Sequence, residues 1–388
     1  MKTMALAGEA FSRNIGDQAI HACLGYLLRQ QDANLNILSL DISQRSALSD
    51  GTTLSARYRF FSSLKALTGF SSVHSLANLV VDRVQKARQQ DRIWNPVFER
   101  NDELVIGGGQ LLMDNNLDFP LKLFNLTDLA SEKKIPFHIS SVGVGRSWSS
   151  MASHLFQPVL ANAKSITLRD VLSRERLKKS YPAVQARVTF DPAIMAAEVY
   201  TSVLGERYAD TVGLGVMSRE DVNSRLLPGQ RFSTQTWLEL WMDLLSGLVG
   251  QKMKVELFNT GSPQDQRFAS LLFGKVQDRG WDIIRLAPCP VTAVDLISRM
   301  LRYSLVIATR LHATILANAF GITSLGLAWD EKVNSYYQDT GQADLCFNLV
   351  GLNTGTLILA SHALNNKPFP ETLLVDLKNR ARKSVEMF

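Results

Sequence analysis

Thr309, Arg310, Leu311, His312 and Lys332 are the residues of this chain best suited to chemistry. Arg310 and His312 stand where an apolar run, 304–308, gives way to a helical pattern, 312–320. Strand-to-helix junctions of parallel sheets collect anions, because unpaired backbone N–H groups and the helix dipole point at them. There a guanidinium can fork onto an anion and an imidazole can move a proton. An isolated histidine is more often structural; its neighbour Arg310 and the helix start favour a chemical role for His312. Lys332, twenty residues on, adds a second fixed cation. The other histidines, His21, His74, His138, His154 and His362, lack such company and read as structural.

Three further clusters lie at strand ends. Asn14-Ile15-Gly16-Asp17 opens the first helix: Gly16 permits close backbone approach, and Asp17 is equally an N-cap or a base for a bound hydroxyl. Gly107-Gly108-Gly109-Gln110 follows another apolar strand. Three successive glycines carry an entropic cost, so the spot needs bare backbone, either for a ligand or for a tight turn against a helix. Gly143-Val144-Gly145-Arg146 repeats the arrangement. Arg169-Asp170 reads both as a helix-start ion pair and as a cation reaching a cleft. There is no H-E-x-x-H, D-x-D or cysteine cluster to suggest a metal, no G-x-S-x-G elbow, and no G-x-G-x-x-G dinucleotide fingerprint.

The elements that must position these groups alternate strictly. Apolar strands are expected over 4–7, 35–40, 103–106, 135–142, 165–168, 188–190, 211–217, 253–258, 304–308 and 324–327. Helices are expected over 17–29, 170–179, 234–249, from 264 and over 312–320. Short apolar strands joined by helices imply parallel sheets covered on both faces. With 388 residues, 46% of them hydrophobic, two α/β domains are expected. We place them at 1–200 and 205–350, with a helical tail, 351–388, packing back on the first. No apolar stretch is long enough to span a bilayer, no secretory leader is evident, and three scattered cysteines suggest a reducing compartment. A cytoplasmic protein is the expectation.

The net charge of +6 is concentrated: residues 54–93 hold seven cations against two acids, interleaved with Phe60, Phe61, Leu64, Leu67 and Phe70. This insertion reads as a nucleic-acid patch, an anionic membrane patch or a solvated basic face.

Taken in order, N-I-G-D at 14–17, G-G-G-Q-L-L-M-D at 107–114, S-V-G-V-G at 141–145, L-R-D-V-L-S at 168–173 and F-D-P-A at 190–193 form one set. R-L-H-A-T-I-L-A-N-A-F-G-I at 310–322 and W-D-E-K at 329–332 complete it. The set resembles the polysaccharide pyruvyl transferases over roughly residues 5–345. It departs from them at Thr323, where a proline is usual, and in the insertion 54–93, which has no counterpart.

The resemblance implies a GT-B-like α/β fold of two Rossmann-like domains whose parallel sheets face a central cleft. It also implies transfer of the enolpyruvyl group of phosphoenolpyruvate onto sugar hydroxyls of a bacterial surface polysaccharide or its lipid-linked precursor. A cyclic pyruvate ketal forms, phosphate is released, and no cofactor, metal or nucleic acid takes part. Arg310, Leu311 and Lys332 would hold the donor, with Arg169 as a third cation. His312 would be the acid-base group and Asp17, from the opposite domain, a catalytic partner. Asn14, Gly16, Gly107, Gly108, Gly109 and Gln110 would shape the acceptor side. The insertion would then meet anionic lipid at the inner face of the membrane. The competing expectation is a GT-B glycosyltransferase using a nucleotide sugar.

Overall fold

The computed structural model describes residues 2–12, 14–43, 94–203 and 210–386. The insertion 54–93 lies outside them. The chain forms two compact units: Met1–Ser12, Ile20–Pro192 and Ala381–Phe388 in the first; Arg13–Ala19 and Ala193–Arg380 in the second.

The first unit is built on six parallel strands, β1 (Thr3–Gly8), β2 (Asn36–Asp41), β3 (Glu103–Gly107), β4 (Phe137–Val142), β5 (Ser165–Leu168) and β6 (Arg187–Val188), in the order β2-β1-β3-β4-β5-β6. Central β4 is buried at all six residues, whereas edge β2 exposes its first half, as expected of a sheet covered on both faces. The helices are α1 (Ile15–Gln31), α2 (Asp118–Glu132), α3 (Ser150–Asn162) and α4 (Val171–Ser180). Side-chain caps start two of them: Ser149 accepts from Ala152 N, and Asp170 from Ser173 N at 2.6 Å. Leu104, Ile106, Phe137, Ile139, Val142 and Phe156 lie in the core. Strand β6 is shorter than expected, stopping at Val188, although Thr189 N still donates to Leu168 O.

The second unit repeats the plan with β7 (Thr211–Gly215), β8 (Lys254–Phe258), β9 (Ile284–Leu286), β10 (Tyr303–Ala308), β11 (Ser324–Ala328) and β12 (Cys346–Asn348). Their order, β12-β11-β10-β7-β8-β9, is that of the dinucleotide-binding sheet, with its crossover reversal between β7 and β10. Helices α5 (Arg219–Asn223), α6 (Thr234–Gly250), α7 (Pro263–Asp278), α8 (Ala293–Met300), α9 (Leu311–Ala319), α10 (Glu331–Asp339), α11 (Thr354–Leu364) and α12 (Glu371–Arg382) complete it. Its core joins Leu214, Leu305, Ile307 and Leu325 to Trp237 and Trp241 of α6, whose rings meet edge-on. No helix among the described residues is long and apolar enough to cross a membrane.

Two boundaries differ from expectation. The tail is divided: Leu357 of α11 enters the second core, and Arg380 Nη1 donates to Asp339 O. Only its end belongs to the first unit, where Ser384 O accepts from Ser140 Oγ. The first turn of α1 likewise groups with the second unit, because Ile15 N donates to Thr260 O at 3.0 Å and the Ile15 side chain is buried.

His21 of α1 supports the first sheet. Its Nε2 lies 3.0 Å from Ser39 Oγ, while Nδ1 is buried without a hydrogen bond among the described residues. Burial lowers its pKa from 6.5 to about 4, the charge of Asp41 opposing the shift. The folded value lies below the unfolded one. The neutral ring's stabilisation is therefore fully present above pH 6.5 and is lost as pH falls toward 4. A difference of that size is worth about 3 kcal/mol. We expect the free energy of urea unfolding to fall across that window, and to fall less steeply in His21→Gln.

Candidate functional site

The order reversal of the second sheet puts the carboxyl ends of β7 and β10 side by side, and Thr309 ties them through its N and Oγ1 to Gly215 O, at 3.4 and 3.2 Å. The next residue, Arg310, is the N-cap of α9 with extended backbone (φ −83°, ψ 121°), and its side chain does not cap the helix. Instead it turns aside to two carboxylates. Nε lies 2.9 Å from Asp265 Oδ2 and Nη2 3.1 Å from Asp265 Oδ1, while Nη2 also lies 2.5 Å from Asp221 Oδ2. Arg310 therefore meets an incoming anion already engaged, where the sequence suggested an open fork.

Asp265 is completely buried. It occupies the first turn of α7, behind the N-cap Ser262, and Oδ1 accepts from Ser218 N at 2.8 Å. Burial raises its pKa, while the nearby Arg310 charge and the Ser218 hydrogen bond oppose the rise. The arginine secures this carboxylate, since removing Arg310 would strand Asp265 in a dry site.

His312 is the second residue of α9, and its Nδ1 lies 3.9 Å from Asp17 Oδ1. That is beyond hydrogen-bond length but close enough for the carboxylate to act on the ring electrostatically. Both side chains are only slightly exposed, and His312 Nε2 is itself buried. Gly16 makes the approach possible: a Cβ there would fall 2.2 Å from His312 Nδ1 and 2.4 Å from its Cγ. Asn14 shapes the same turn, its Oδ1 accepting from Gly16 N and its carbonyl from Asp17 N. Asp17, expected on the opposite domain from His312, is thus in the same unit, since the Ile15–Thr260 bond docks the helix start there.

Lys332 lies in the first turn of α10, whose N-cap Asp330 accepts from Lys332 N and Val333 N. Its ammonium is 3.1 Å from Asp330 Oδ2 and 5.6 Å from the centre of the Trp329 ring. Trp329 Nε1 donates to Thr309 O at 2.9 Å, which ties the loop carrying Lys332 to the loop carrying Arg310 and His312. Asn14, Gly16, Asp17, Arg310, Leu311, His312 and Lys332 therefore all belong to the second unit.

Gly107, Gly108, Gly109, Gln110 and Arg169 belong to the first. A Cβ on Gly107 would fall 2.3 Å from Leu24, and one on Gly108, whose φ is +74°, 2.0 Å from Ile20. Close packing against α1 therefore accounts for these two glycines. Backbone bonds occupy the turn as well: Gly108 N donates to Ser140 O, Gly143 N to Gly109 O, and Gln110 Nε2 to Val144 O. Arg169, expected as a third donor cation, is 5% exposed and pairs with Asp170 at 3.1 Å and Asp191 at 3.6 Å. Two carboxylates balance its charge inside the unit.

Three contributors escaped sequence reasoning, Asp221, Asp265 and Thr260, while Trp329 stood in the W-D-E-K motif without a role. Asp265 carried the only local signal, an acid three residues after Ser262, which marks a helix start and says nothing of a distant arginine.

The fold is that of the GT-B class. The UDP-GlcNAc 2-epimerase of Methanocaldococcus jannaschii superposes with a TM-score of 0.55 at 12% identity, covering 99% of this chain and 98% of that one. The UDP-N-acetylglucosamine 2-epimerase of Rickettsia bellii gives 0.54 at 11%, with 100% and 95% covered. The sucrose-phosphate synthase of Thermosynechococcus elongatus gives 0.52 at 11%, with 99% and 95% covered. No curated protein matches the sequence. The chain belongs to the polysaccharide pyruvyl transferase family, whose model matches residues 14–331, and it is a transferase of that family.

Proposed function

We propose that the protein transfers the enolpyruvyl group of phosphoenolpyruvate to a surface-polysaccharide precursor and closes it into a cyclic pyruvate ketal. The observation that carries this reading is the loop after β10, where Arg310 and His312 flank the start of α9 and Asp17 stands 3.9 Å from the imidazole. Phosphoenolpyruvate is a small enol ester bearing a carboxylate and a phosphate, so a helix start flanked by cations suits it.

In the proposed course, a proton is delivered to the methylene carbon as a sugar hydroxyl adds to the adjacent carbon. The C–O bond to phosphate then breaks, and a second hydroxyl attacks the same carbon to close the ring. Of the two hydroxyl protons, one ends on the new methyl group and the other on the departing phosphate. His312 moves the first of these protons, and the Asp17 carboxylate 3.9 Å away favours the ring's protonated form. Arg310 and Lys332 stabilise charge on the leaving phosphate. The acceptor is a sugar with two neighbouring hydroxyls, on a polysaccharide or its lipid-linked precursor.

A thermal-shift titration tests the donor: phosphoenolpyruvate should raise the melting temperature and uridine nucleotides should not. The reverse result would favour a nucleotide-sugar enzyme. Lys332→Ala should raise KM for phosphoenolpyruvate about tenfold or more with a smaller change in kcat, read by phosphate release, because it removes a charge that contacts the donor before and during reaction.

A further inference from the structure

Strands β10 and β11 run side by side, Ala308 pairing with Gly326, so the loops that leave their carboxyl ends start as neighbours. The first loop leads through Thr309 and Arg310 to His312, and the second through Trp329 to Lys332. Thr309 is fully buried and held from two sides. Its N and Oγ1 donate to Gly215 O, and its carbonyl accepts from Trp329 Nε1 at 2.9 Å. That carbonyl shares a rigid peptide plane with the nitrogen of Arg310, so the indole pins the plane from which the arginine departs. The same ring lies 5.6 Å from the Lys332 ammonium, within cation–π reach. One half-buried ring thus reaches the backbone of one donor cation and the charge of the other. A second link joins the helices that follow these loops. Tyr336 Oη of α10 donates to Asn318 Oδ1 of α9 at 2.6 Å, a buried bond at least one helical turn beyond either cation.

We propose that Trp329 is a positioning residue that sets the separation between Arg310 and Lys332, and thereby the grip on a donor held by both; this rests on the reading of those two residues as donor cations. Lys332 ends a flexible four-carbon stem, and its ammonium is a point charge that fixes no direction of its own. Arg310 is held at its head by Asp265 and at its backbone by the pinned peptide. Two cations grip one multiply charged anion together only when their spacing matches it. The indole is the rigid piece between them. Tyr336 and Asn318 join the same two helices away from the loops, so their bond serves stability and leaves the cation spacing alone.

Calorimetric titration of the full chain with phosphoenolpyruvate tests this in a double-mutant cycle. Trp329→Phe keeps an aromatic ring beside Lys332 and removes the N–H. Its dissociation constant for phosphoenolpyruvate should rise about tenfold, a coupling of the size found within one contact network. In the Lys332→Ala background the same substitution should change that constant by less than about twofold, because no spacing is left to set. Tyr336→Phe is the stability control: its melting temperature should fall, as should that of Trp329→Phe, while donor affinity stays at the wild-type value. Equal effects of Trp329→Phe with and without Lys332 would overturn the proposal, since direct stacking on the donor or general loosening adds independently. So would an unchanged affinity in Trp329→Phe, or the same loss of affinity in Tyr336→Phe. If wild type released phosphate from phosphoenolpyruvate in any of those cases, the proposed reaction would stand without this inference. If wild type neither bound phosphoenolpyruvate nor released phosphate from it, the donor reading would fall, and the inference with it.

Discussion

His312→Ala should lower kcat about a thousandfold, the usual contribution of a positioned acid-base group, while the protein stays folded. The residue sits near the start of α9, where alanine is a good helix former, and Asp17 lies 3.9 Å from it. The melting temperature should therefore move little. Phosphate release at saturating phosphoenolpyruvate measures the effect, and calorimetric binding of the donor separates chemistry from affinity. A variant that kept wild-type turnover would remove His312 from the mechanism. Equal losses in turnover and in melting temperature would make it a packing residue.

The second large effect falls on a residue with no chemistry of its own. Gly16→Ala should gain up to about 1 kcal/mol in helix propensity, since alanine is favoured over glycine within a helix. Yet the new methyl would stand 2.2 Å from His312 Nδ1, so either the imidazole or the first turn of α1 must shift. A displacement of about 1 Å at a catalytic group costs on the order of a hundredfold in rate. We expect kcat to fall by that amount and the melting temperature to fall as well, because His312 Cβ, 2.4 Å from the new methyl, cannot swing clear by ring rotation. Phosphate release and calorimetry on the same preparation measure the two. Wild-type activity in this variant would mean that the His312 ring does not work from the position it holds against Gly16.

The strands that position the site were readable because they are buried on both faces: the six residues of β10 and of β4 are all apolar or fully packed, and such runs announce themselves. Strands β9 and β12 passed unnoticed. Each is three residues long with partly exposed positions, so neither presents an apolar run. Arg310, Lys332 and His312 stand out in the sequence by type and by their place near strand ends. Their partners do not, since Asp221 and Asp265 lie 89 and 45 residues from Arg310 and only the sheet order brings them to it. The same limit applied to Asp17, whose neighbourhood depends on one backbone bond from Ile15 to Thr260. Gly107 and Gly108 carried a real signal, the need for bare backbone. Sequence could not say that the neighbour is the apolar face of α1 at Ile20 and Leu24.

The central claim is that Arg310, His312 and Lys332 serve transfer from phosphoenolpyruvate. It is tested most directly by incubating the purified protein with that donor and an unmodified surface-glycan precursor, following phosphate by colorimetry and the glycan by proton NMR. One phosphate released for each new ketal methyl signal is the expected result. Consumption of a nucleotide sugar in its place, with the glycan gaining a sugar and no methyl signal, would contradict it.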